Sequence, residues 1–133
     1  MDEWRDVLWR EFMAVQGSFL LQIRCELTWD VDAFDRLVAA MENCRRAKTG
    51  DELIERWVAE GFWYLSWFVK DWTTHPNFPR QRVEGYYQAA YEYLDGLALG
   101  FFLDESSWTD DGIQARAELS RLRDEQTLNH LKD

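Results

Sequence analysis

A chain of 133 residues sits near the commonest single-domain size, and 47% hydrophobic with 30% charged residues is a globular balance far from the disordered class. The formal net charge is −10, from 25 acidic and 15 basic side chains, and no basic cluster exceeds the pair Arg45 and Arg46. That balance argues against nucleic acid and against an anionic membrane surface as partners.

The first predicted helix covers residues 2–27. Trp4, Leu8, Phe12, Val15, Phe19 and Ile23 recur at three- and four-residue steps and form one apolar stripe, widened by Trp9, Met13 and Leu20. Asp2, Glu3 and Asp6 suit the positive end of the helix dipole. Gly17 interrupts the middle, which calls for a close packing contact or a bend.

Thr28, Trp29 and Asp30 read as a break before a second helix over 32–48, with Asp30 or Asp32 as its cap and Phe34, Leu37, Val38 and Met41 on its apolar side. Arg45, Arg46 and Lys48 then fit a helix C-terminus ahead of Gly50. Thr49, followed three residues later by Glu52, has capping-box spacing and predicts a third helix over 50–72. Leu53, Ile54, Trp57 and Val58 lie on one side of it. The nearly uncharged run over 61–69 is apolar almost all round and predicts enclosure on several sides. It is also well short of the ~20 residues that a membrane-spanning helix requires.

Pro76 and Pro79 break the chain into a structured loop. A fourth helix over 80–104 carries Val83, Tyr87, Ala90, Leu94, Leu97 and Phe101 at helical steps, and a more polar fifth follows over 109–131. The expected fold is all-α: a single domain built as an antiparallel bundle of four to five helices.

Two cysteines, Cys25 and Cys44, match no metal or redox spacing and read as free, buried small hydrophobes. The opening residues Met1 to Asp6 lack the basic start and apolar stretch of an export signal, so a reducing cytoplasm is expected.

No metal and no cofactor is expected. Neither His75 nor His130 has a carboxylate three positions before it, as a di-iron helical bundle needs. No phosphate loop, nucleophile elbow or zinc-protease motif is present. The loop around Asp71, Trp72, His75, Asn77 and Arg80 concentrates hydrogen-bonding groups beside rings, which makes these residues candidate ligand contacts. Capping of helix ends and plugging of the bundle is the structural alternative. Asp71 four residues before His75 is the single pairing on which an enzyme reading rests. Asp95 shares a helical face with Tyr91, Ala98 and Phe102, so burial of that face would require a partner for its carboxylate: a structural hydrogen bond from a Tyr hydroxyl, an Arg or a Trp indole or, as the alternative, a ligand anchored by Tyr91 and Asp95.

Aromatic residues make up 16% of the chain, and residues 61–103 hold 13 of the 21 rings with only 4 acidic and 3 basic side chains. Such a surplus fills a core, forms an interface, or lines a pocket for a small apolar ligand between the third and fourth helices. More helix surface is apolar than one short bundle covers. The leading expectation is therefore a non-enzymatic module that binds a protein partner or itself, as a homodimer.

Overall fold

The computed structural model describes residues 3–103 and 115–124, and every regular element among them is helical. In chain order these are α1 (Glu3–Phe12), α2 (Phe19–Leu21, continuing as a π-helical segment Gln22–Glu26), α3 (Val31–Ala47), α4 (Arg56–Thr73), α5 (Glu84–Leu103) and α6 (residues 115–124). α1 packs on α3, α3 on α5, and α4 on α5. Of the predicted fifth helix, only the part in α6 is described; the rest, with His130, lies outside the described residues.

The predicted first helix is two helices. Backbone φ turns positive at Ala14 (53°) and again at Gly17 (85°), so the chain leaves the helix after Phe12 and starts a new one at Phe19. Two acceptors stabilise the restart. Ser18 Oγ takes the Leu21 N–H at 3.2 Å, and the buried Glu11 carboxylate takes the Phe19 N–H on both oxygens at 3.1 and 3.0 Å. Those side chains satisfy orphan donors that a continuous helix would not have. The stripe still holds on either side of the break, because Leu8, Phe19 and Ile23 are all fully buried.

α3 follows its sequence pattern. Asp30 caps it, accepting the Ala33 N–H at 3.1 Å, and Phe34, Leu37, Val38 and Met41 are buried. The third predicted helix is corrected at its start, which falls at Arg56 and not near Gly50. Thr49 does not cap it: its hydroxyl donates backward to the Arg45 carbonyl at 3.1 Å, and Gly50 sits at φ 85°. Residues 50–55 form a strap instead, with Leu53 87% exposed. Glu55 pins the strap, accepting Lys48 Nζ at 2.5 Å and the Arg5 guanidinium at 2.7 Å. Two cations compete successfully against one capping box.

α5 likewise begins later than residue 80, at Glu84, which leaves Val83 exposed before it. Trp29, which reads as a break in the sequence, is a core hub. Its ring centroid lies 4.9–5.7 Å from those of Phe19, Phe34, Tyr86 and Tyr87, and its Nε1–H donates to the Tyr86 hydroxyl at 3.1 Å. Both cysteines are free. Cys44 is buried as expected, and burial pushes its thiol up to about 12, whereas Cys25 is exposed at the π-helical turn. Among the described residues no helix is long and apolar enough to cross a membrane.

Candidate functional site

The loop after α4 divides the expected site residues into two groups. Arg80 and Tyr91 meet. Thr73 Oγ1 donates to the Val69 carbonyl at 2.6 Å, so the Tyr91 hydroxyl, 2.5 Å from Thr73 Oγ1, must donate to it. Tyr91 then accepts from the Arg80 guanidinium at 2.6 Å. Arg80 Nε donates to the Thr73 carbonyl at 3.1 Å, a third edge pairs with Glu84, and the guanidinium carbon lies 4.4 Å from the Tyr87 ring centroid. Tyr87 Oη in turn accepts the N–H groups of Gln81 and Arg82. Burial pushes the Tyr91 phenol up, partly offset by its Thr73 and Arg80 hydrogen bonds. These hydrogen bonds lock the α4–α5 connection.

Trp72, His75 and Asn77 lie on the other side, lining a 260 Å³ hollow with Leu27 and Phe78. Trp72 Nε1 donates to the Ile23 carbonyl at 2.9 Å, clasping the turn after α2. His75 Nδ1 accepts the Asn77 N–H at 3.2 Å. The Asp71 side chain makes no hydrogen bond or ion pair among the described residues, so Asp71 and His75 are not hydrogen-bonded to each other. Asp95 is exposed, not buried beside Tyr91; partial desolvation raises its carboxyl, offset by Lys70 across on α4. Across the α4–α5 seam Phe62 stacks on Phe101, centroids 4.0 Å apart, and Thr73 meets Tyr91.

A second polar cluster escaped the sequence reading. Glu42 is only 8% exposed, and one of its oxygens accepts both the Tyr93 hydroxyl at 2.5 Å and Arg116 at 3.0 Å. Burial, then the adjoining carboxylate, push the Tyr93 phenol far up. These groups line a 350 Å³ cleft between α3, α5 and α6 with Asp35, Tyr86 and Arg123. Arg123 ties α6 to Asp32 at 2.6 Å and to Asp35. Glu42 did carry a readable signal, a carboxylate four residues after Val38 on an otherwise apolar stripe.

The third feature is apolar and lies on α4. Arg56, Glu60, Trp63, Trp67, Lys70 and Asp71 are exposed and trace one stripe along the helix, while Trp72, also exposed, lies well round from it. Trp63 and Trp67 sit at its centre, 60% and 52% exposed, with rings 6.1 Å apart and only 6° from parallel. A second file of rings runs beside it, Tyr64 on Phe68 at 4.9 Å and Phe68 on Trp72 at 5.5 Å. Between Trp63 and α1 opens a 370 Å³ groove floored by Phe12, Trp57 and Gly61 and edged by Met13 and Tyr64. The enclosure expected for the apolar run over 61–69 is therefore incomplete: Phe62, Leu65, Phe68 and Val69 are buried, while the two indoles face water.

The chain matches no protein-family model, and neither curated proteins nor solved structures contain a match to it. The functional reading therefore rests on its own residues.

Proposed function

We propose that this chain is a self-association module, a non-enzymatic helical domain that dimerises through the exposed aromatic stripe of α4. The observation that carries the reading is the stacked Trp63–Trp67 pair in water. Two indoles more than half exposed leave roughly 250 Å² of ring surface unburied, already near the largest apolar patch of an ordinary monomer. Trp is also the residue most enriched among energetically dominant interface contacts.

Charge supports a like partner. A molecule of net charge −10 repels its copies over most of its surface, but Arg56, Lys70, Glu60 and Asp71 on the α4 stripe sum to zero. A near-neutral face lets two copies approach at little electrostatic cost. Within each copy, Phe62 meets Phe101 and Thr73 meets Tyr91, contacts that step in opposite directions along α4 and α5 and support an antiparallel bundle. The free thiols Cys25 and Cys44 suit a reducing cytoplasm.

Light scattering on a W63A/W67A variant tests the reading. Wild type is expected to scatter as a dimer and the variant as a monomer of unchanged helicity, while L53A, which trims the 87% exposed Leu53 outside the stripe, leaves the dimer intact. Equal masses for wild type and W63A/W67A would overturn it.

The cleft at Glu42 favours a second reading, a small polar ligand between α3, α5 and α6. Its groups already pair with one another, which weakens the case. Native mass spectrometry of the purified protein checks it: a co-purifying small molecule, displaced in E42Q, is the result that this reading requires.

A further inference from the structure

Along the α4 stripe, Glu60, Trp63, Trp67 and Lys70 are spaced by three, four and three residues, the same read from either end. At 100° per residue these four positions stay within about an 80° sector of the helix, so they form one file. The two rings occupy the middle and opposite charges the ends. Glu60 and Lys70 are both exposed, and neither forms an ion pair among the described residues; Asp95 acts on Lys70 only at a distance. Ten residues of helix hold them about 15 Å apart, so they cannot neutralise each other within one chain.

We propose that two copies pair through α4 in antiparallel orientation about a two-fold axis level with Leu65, an inference that rests on the self-association reading and fixes its register. In that register each Trp63 lies opposite the second copy's Trp67, and each Glu60 opposite the second copy's Lys70. A two-fold interface must be self-complementary, because every contact is made twice with the roles exchanged. The file of four meets that requirement: both rings find rings and both charges find their opposites. Parallel pairing of the same stripe would set Glu60 against Glu60 and Lys70 against Lys70, two like-charge contacts that disfavour it. The groove between Trp63 and α1 lies beside the point where the second copy's Trp67 arrives, with Glu60 at its edge. Glu60 and Lys70 are thus orientation-determining residues, and the indoles supply the buried area.

Charge reversal tests the register. E60K puts two lysines at each end of the dimer and K70E two glutamates, so each variant alone is expected to dimerise about tenfold more weakly than wild type. An equimolar mixture restores both opposite-charge contacts and is expected to form the heterodimer in preference to either homodimer. One partner labelled with nitrogen-15 lets native mass spectrometry distinguish the three species. The double variant E60K/K70E, whose charges are exchanged within one chain, is expected to recover wild-type affinity. If wild type dimerises but the reversals leave affinity unchanged and the mixture is statistical, the register is wrong while self-association stands. A wild-type monomer at all concentrations would remove both.

Discussion

Gly61 joins the fold to the proposed interface, and its replacement by alanine sets two opposing effects against each other. In an unencumbered helix interior, Gly→Ala stabilises by about 1 kcal/mol through lower backbone entropy in the unfolded chain. At this position a Cβ would fall 2.1 Å from two carbons of the Phe12 ring, closer than atoms can approach. The ring must swing away, which disturbs its edge-on contacts with Trp57 at 6.1 Å and Phe62 at 6.4 Å. Overpacking of this kind costs about 1–3 kcal/mol, and each disturbed ring pair adds up to roughly 1 kcal/mol. G61A should therefore lose about 1–2 kcal/mol net, a fall in Tm of several degrees for a chain of this size. Removing the obstacle should reverse the sign: in an F12A background, G61A gains the ordinary ~1 kcal/mol. Urea denaturation of wild type, the two single variants and the double variant closes the cycle, with a coupling of about 2 kcal/mol or more. A stabilising G61A in the wild-type background would refute the close approach of Phe12.

Y93F removes the donor that Glu42 accepts in a buried site, so equilibrium unfolding should report a loss of about 1.5–3 kcal/mol, the range for hydrogen bonds to charged groups. Two carboxylates should give opposite pH signatures in denaturation on either side of pH 4.5. The hydrogen bond from Lys48, with that from Arg5, holds Glu55 below its ordinary 4.5, so its stabilisation is full above pH 4.5 and is lost as pH falls through the lower folded value; the gap between wild type and E55Q should close in acid. Burial raises Glu11 above 4.5, so its ionisation opposes folding increasingly as pH rises from 4.5 through the raised value, and wild type should lose ground to E11Q over that interval. In the native protein Cys25 should react promptly with a thiol reagent, while Cys44, buried and with its thiol pushed up to about 12, reacts only on unfolding; mass spectrometry of the labelled chain counts the two.

Helix class and most buried faces were legible because periodicity reports burial directly: Phe34, Leu37, Val38 and Met41 are buried where their spacing puts them. Boundaries failed where a distant side chain outbid a local signal. Glu11 reaches eight residues forward to the Phe19 N–H and supports a new helix start in the middle of an unbroken stripe. Lys48 and Arg5 hold Glu55 and move the start of α4 past a well-spaced capping box. These pairings span seven residues or more, beyond the three- and four-residue steps that helical periodicity and cap spacing report.

The candidate site was legible as composition and not as geometry. The surplus of rings over 61–103 was plain, but only packing decides which rings meet water, and it leaves Trp63 and Trp67 outside while Phe62 stacks on Phe101 between α4 and α5. The spacing of Asp95 to Tyr91 puts the two on one helical face but does not say whether that face is covered: Tyr91 is buried and Asp95, one turn on, is exposed. Of the polar residues in the 71–80 loop, Arg80 closes the connection between two helices, whereas the His75 side chain bonds within the loop, to the Asn77 N–H. Glu42 and Tyr93 lie 51 residues apart and meet only through the α3–α5 packing.

Sedimentation equilibrium of the wild-type chain over a wide concentration range tests the central claim most directly. Self-association through α4 predicts a mass that climbs from the 15.9 kDa of one chain toward twice that value and falls back on dilution. A mass fixed at 15.9 kDa at every concentration would contradict it.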